Sequence, residues 1–164
     1  MAKSQNSAHP SWAALLDLDS DTYARLRYAG RSATDMVAVG QAWDTVPEGW
    51  EALAVAPLAR GLAALDCLGV PLDAGFPVIA DHGRSELIVL VEAGGAHPLA
   101  ELQGVRVLRR GTSFLLVPFG PQGGYNAAWL SRPTQGMARY VDPSALRDAV
   151  LVAEAERSEH SRAC

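Results

Sequence analysis

Lysine is nearly missing from this chain of 164 residues: Lys3 is the only one, and arginine supplies the rest of the positive charge. With 18 Asp and Glu against 14 Lys and Arg the formal net charge is −4, which argues against a protein whose main task is non-specific phosphate binding, because that task needs a basic surplus. Cysteine is as scarce. Cys67 and Cys164 stand far apart and form no C-x-x-C spacing, which excludes a zinc or disulfide framework built on paired cysteines. Isoleucine occurs only at Ile79 and Ile88, while Ala, Gly, Val and Leu dominate, a bias of GC-rich coding rather than of function. No apolar run approaches the roughly 18 residues of a membrane helix, since the most apolar stretch, residues 87–91, is closed by Glu86 and Glu92. The opening MAKSQNSAHP carries no apolar core of a secretory signal. The expectation is a cytoplasmic protein with no membrane partner.

What remains is an ordinary globular composition, 49% hydrophobic and 20% charged, enough for one domain. Residues 1–10 are polar and expected to form a disordered tail, residues 11–156 a single α+β domain, and residues 157–164 a frayed C-terminal tail. Apolar residues at helical spacing predict short helices over 11–16, 21–28 and 33–41, the second capped by Ser20 or Asp21. A strand near 52–55 leads to Pro57, in the first turn of a helix whose Leu58, Leu62 and Leu65 share one face and which Gly69 and Pro71 stop. Four β-type runs follow, at 76–80, 86–91, 105–109 and 113–119, the last two joined as a hairpin through Gly111, and a further strand is expected at 126–130. Asp142 caps a final helix with Pro143 in its first turn and Leu146, Ala149, Val150 and Ala153 on one face. The expected fold is therefore α+β, a small mixed or antiparallel sheet with helices packed on it. Leu58, Leu62 and Leu65 should pack on Val78, Leu87, Val89, Val107, Leu115 and Val117, with Leu146 and Val150 closing another side.

Candidate chemistry is sparse. Asp17 and Asp19, two apart, would point the same way on a strand and share a divalent cation, but no strand signal surrounds them and helix capping is the simpler reading. Asp81, His82, Glu86 and His97 group carboxylates with histidines at a spacing that matches no metal motif, and Asp81-His82-Gly83 reads as a turn. No glycine-rich dinucleotide loop, Walker loop or nucleophile elbow is present. Trp12, Trp43, Trp50 and Trp129 are spaced as core or rim aromatics. Arg84, Arg106, Arg109 and Arg110 are the candidate binding residues, a local basic patch in an acidic chain.

One ordered series of segments goes further. Ser85-Glu86-Leu87-Ile88-Val89-Leu90-Val91-Glu92-Ala93-Gly94, then Gln103-Gly104-Val105-Arg106-Val107, Gly111 and Leu115-Leu116-Val117-Pro118, then Tyr125 and Trp129, resembles the primase-polymerase domain often called bifunctional DNA primase/polymerase, in its diverged actinobacterial form. The resemblance covers about residues 43–133. It implies a primase-polymerase-like fold and, in the family, acidic residues holding two divalent ions beside a histidine. Here the histidine position holds Ser85 or Glu86, the acidic position holds Arg106 or Arg110, and the paired carboxylates ahead of the central strands are missing. Arginine in place of a ligand repels the cation. The resemblance thus implies a degenerate, non-catalytic binding or regulatory module without cofactors, recognising a protein partner or, weakly, nucleic acid. An active metal-dependent nucleotidyltransferase, using magnesium or manganese at Asp17, Asp19 or Asp81, stays open as the alternative.

Overall fold

The computed structural model describes residues 11–134 and 139–162, apart from the side chain of residue 31. The tail expected at 1–10 and Cys164 lie outside these residues. Within them the chain is mixed α+β, with three helices and two antiparallel sheets.

Helix α1, Ser20–Ala29, starts at Asp19, whose carboxylate accepts from the Thr22 N–H at 2.8 Å and the Thr22 hydroxyl at 2.9 Å. The cap is thus one residue earlier than Ser20, and the capping reading of Asp19 holds. Helix α2, Leu58–Leu68, begins after an extended Pro57 and ends at Gly69, whose φ of 73° places it in the left-handed region where a side chain is strained. Helix α3, Pro143–Arg162, is capped as expected: the Asp142 carboxylate accepts from Ala145 N–H at 3.1 Å. Its helical backbone continues to Arg162, past residue 156 where the domain was expected to end, with Arg157 3.4 Å from Glu154 on the exposed side.

The main sheet has the order β5-β2-β4-β3-β8-β7, built from β2 (Trp50–Val55), β3 (Val78–Asp81), β4 (Glu86–Glu92), β5 (Val105–Leu108), β7 (Gly123–Gly124) and β8 (Ala127–Ser131). Every residue of β2 and the first six of β4 are buried, because both faces of the sheet are covered. On one face Leu53, Leu87, Val89 and Val78 pack beneath Leu58, Leu62 and Leu65 of α2, Leu146 and Val150 of α3, and Trp12. On the other face Ala52, Ala54, Ile79, Ile88 and Leu90 meet a two-stranded ribbon of β1 (Thr34–Ala38) and β6 (Phe114–Pro118), through Val39, Leu115 and Val117. The layers run helices, sheet, ribbon.

Three expectations are corrected. The helix expected over 33–41 is instead strand β1, Thr34–Ala38: Ala33, Met36 and Val37 satisfy helical spacing while Val37 and Val39 satisfy strand alternation, and pairing with β6 decides between them. The strands at 105–109 and 113–119 are not a hairpin, since β5 pairs with β2 and β6 with β1. Between them the Arg109 carbonyl accepts from Thr112 and Ser113 N–H at 3.4 and 3.2 Å, and this corner carries the chain from sheet to ribbon. Leu115 and Val117 therefore lie on the face of Ile88 and Leu90, opposite the helices they were expected to meet.

Candidate functional site

Strand pairing builds the site. In the main sheet Asp81 stands opposite Glu86, and Ala54 stands opposite both Ile88 and Arg106, so Asp81, Glu86 and Arg106 share the ribbon-side face at one end of the sheet. The turn between β3 and β4 is tied by the Asp81 carboxylate, which accepts from Arg84 N–H at 2.9 Å. Ser85, at φ 53°, turns its hydroxyl away to accept from Leu58 N–H at 3.2 Å, and β4 opens on Glu86.

Glu86 is 7% exposed, and its carboxylate is gripped by a guanidinium fork. Arg106 donates from Nε to Oε2 at 3.1 Å and from Nη2 to Oε1 at 2.9 Å, while Arg84 Nη1 stands 4.0 Å from the same Oε1. Such a bidentate pair fixes direction as well as charge. Above it the ribbon presents Met36, Phe114 and Leu116, and a groove of 420 Å³ runs between these apolar residues and the charged end of the sheet. Met36 is 58% exposed and Phe114 69%. A second groove of 460 Å³ shares Met36, Leu116 and Asn126 with the first and continues toward α1, where the Arg27 guanidinium lies 4.9 Å from the centre of the Tyr125 ring.

Of the four arginines singled out in the sequence, the structure brings Arg84 and Arg106 together. Arg109 and Arg110 lie outside the groove, in the β5–β6 corner, and the aliphatic stem of Arg110 closes against Gly40, where an added Cβ would stand 2.5 Å from Arg110 Cγ. The strand ends at Leu108, so the expected projection of Arg109 and Arg110 to opposite faces of one strand does not arise. The grouping of Asp81, His82, Glu86 and His97 also separates. His82 donates its main-chain N–H to Tyr125 O at 3.0 Å and sets its ring tilted by 30° against that of Tyr125, centroids 5.6 Å apart, and burial pulls its pKa below the ordinary 6.5 against the opposing pull of Asp81. His97 is exposed in a 3-10 turn over His97–Leu99. Asp17 is exposed, and Asp19 is spent on its cap. Among the described residues no three His, Cys, Asp or Glu gather where they could hold one metal ion. Trp12 and Trp50 are core residues, and Trp43 and Trp129 stack in parallel at 5.2 Å.

Met36, Phe114 and Leu116 escaped the reading of the sequence. A methionine and a phenylalanine on alternating strands are the only signal, and it becomes visible once both strands are known to face solvent on one side. Comparison with protein-family models, with curated proteins and with solved structures returns no match.

Proposed function

We propose that this chain is a non-catalytic binding module, on a scaffold similar to degenerate primase-polymerase domains, that takes a protein partner along the cleft between the ribbon and the Glu86–Arg106 end of the sheet. The observation that carries the reading is the Glu86–Arg106 fork. The resemblance offered Ser85 or Glu86 for the histidine position and Arg106 or Arg110 for the acidic one. Glu86 and Arg106 meet at 2.9 Å, while Ser85 and Arg110 are engaged elsewhere. A guanidinium stands where a metal-binding scheme needs a cation, and the buried carboxylate is already neutralised. What the cleft offers is an apolar centre of Met36, Phe114 and Leu116 beside an arginine-bearing rim, the anatomy of a protein interface. Nucleic acid is less well suited, because Arg106 spends its fork on Glu86.

The test is affinity capture from native extract with the wild-type chain, with a Met36→Asp/Phe114→Asp variant, and with Tyr28→Asp as a remote control on an exposed helix position. A captured protein is then purified and titrated against all three by calorimetry. The expected result is binding by wild type and control and a loss of about tenfold or more, about 1.4 kcal/mol, in the cleft variant. Equal binding by all three overturns the reading, as does coupled micromolar binding of magnesium and a nucleoside triphosphate that Asp81→Ala abolishes. Arg106→Ala leaves Glu86 buried with Arg84 alone beside it, and is expected to cost about 1–3 kcal/mol of stability in urea unfolding.

A further inference from the structure

Strand β1 holds no buried residue and pairs with β6 alone. Its ladder parity is fixed at both ends, where Val39 N–H donates to Ser113 O at 2.9 Å and Phe119 N–H to Ala33 O at 2.7 Å. Counting inward by twos, Asp35 and Val37 turn their main-chain groups toward β6, and Met36 and Ala38 turn theirs outward. The Ala38 carbonyl already accepts from Gln41 N–H at 3.1 Å, and Met36 N–H is held by its own neighbour, the Asp35 carboxylate, at 2.8 Å. That local bond guards the edge, and an incoming carbonyl would replace it.

A groove borders this edge on each face of the ribbon, and Asp35 lines both. On the inner face a space of 390 Å³ is walled by Trp43 and Phe119 and carries Asp35, Asp44 and Arg132. Arg132 stands 3.5 Å from Asp44, which leaves one carboxylate in excess. On the outer face the groove toward α1 is walled by Met36, Leu116 and Leu26.

We propose that the outer edge of β1 at Met36 and Ala38 receives an extended segment of a partner chain as an added strand, with basic side chains entering the Trp43–Phe119 groove and alternate apolar side chains entering the Met36–Leu116 groove. This rests on the reading of the molecule as a protein-binding module and names the form its partner takes. Alternation along a strand sends successive side chains to opposite faces, which is what grooves on both sides of one edge require. Charge selects basic residues on the inner side, because Asp35 and Asp44 outnumber Arg132 there.

The experiment uses the full-length, ¹⁵N-labelled chain and a synthetic nine-residue peptide of alternating arginine and valine, with glutamate-for-arginine and backbone N-methylated versions as controls. The expected result is saturable movement of the Met36 and Ala38 amides and the Trp43 indole N–H, with inter-strand contacts between peptide and β1. Met36→Pro removes one outward N–H without touching the β1–β6 ladder and, measured against Met36→Ala, which removes the side chain alone, should weaken binding about tenfold, the equivalent of one main-chain hydrogen bond. Should that variant unfold, the N-methylated peptide tests the same bonds on the wild-type chain. Unchanged binding of the Met36→Pro chain or of the N-methylated peptide overturns the proposal, and so does tighter binding of the glutamate peptide. No shift at millimolar peptide, or burial of the β1 edge by a second copy of this chain, overturns it too. Shifts confined to Phe114, Arg84 and Arg106 would refute strand addition while leaving the cleft reading intact, since that reading fails only on the capture and calorimetry results.

Discussion

At the residue scale, His82 couples the β3–β4 turn to the aromatic group around Tyr125. Tyr23 meets the Tyr125 ring edge-on at 5.5 Å, Arg27 lies over it, and His82 Nε2 is buried without a hydrogen-bond partner among the described residues. A proton there would place a second cation beside the ring that already carries Arg27, in a site with reduced access to water, and burial accordingly lowers the pKa from 6.5. The unfolded chain therefore takes up the proton first. Stability contributed by the neutral ring is fully present above the unfolded value of about 6.5, and is lost as pH falls from there through the lower folded value. The urea midpoint is expected to be flat between about pH 8 and 7 and to fall below about pH 6.5, with His82→Gln removing that step. Asp19 acts in a separate window. The Thr22 N–H holds its carboxyl below 3.8, so its contribution is lost only in stronger acid. A step near pH 6.5 that survives His82→Gln would refute the assignment.

At the scale of elements, the contact of α2 with β4 depends on one missing side chain. A Cβ at Gly61 would stand 2.7 Å from Leu87 Cβ and Cδ2, and Leu87 is fully buried in the sheet. Gly→Ala in a helix ordinarily stabilises by about 1 kcal/mol. Here the clash involves the fixed base of a packed side chain, and overpacking of this kind costs about 1–3 kcal/mol. The net expectation for Gly61→Ala is destabilisation, read as a lower urea midpoint with unchanged slope; a raised midpoint would show that α2 can move away freely. The helix itself was legible in the sequence, because Pro57, Leu58, Leu62, Leu65 and Gly69 state its start, face and stop locally. Strands β2, β3, β4 and β8 were legible to within two residues at each end for a similar reason, each being an apolar run between turn residues. Strand β1 was not, because Ala33, Met36 and Val37 fit the helical period as Val37 and Val39 fit the strand period, and its decisive partner lies about eighty residues away. The β5–β6 corner was misread because a glycine turn looks the same whether the chain returns to its own sheet or climbs to the next layer.

At the scale of the whole molecule, the same non-local logic governs the site. The sequence displayed Arg84, Arg106, Arg109 and Arg110 as one basic stretch, but the order β5-β2-β4 brings Arg106 to Glu86 across an intervening strand, and the corner at Gly111 takes Arg109 and Arg110 away. A patch that counts as four charges along the chain is two in the cleft, one of them neutralised. This bears directly on nucleic acid. A protein that neutralises several phosphates gains its affinity from released counterions, and loses about three to five orders of magnitude between low and physiological salt. The net charge is −4, and these four arginines are divided between the cleft and the corner instead of converging on one surface. Binding of single-stranded or duplex DNA by the isolated chain is therefore expected to be weaker than about micromolar at physiological salt, the range of non-specific contact. Replacing Arg109 and Arg110 together by alanine should leave even this weak binding within about twofold, as two exposed charges are worth little when screened. Fluorescence anisotropy with labelled oligonucleotides at two salt concentrations decides the matter. Submicromolar binding that disappears in the Arg109→Ala/Arg110→Ala chain would mean that the corner, rather than the cleft, is the working surface, and nucleic acid would then replace a protein as the partner.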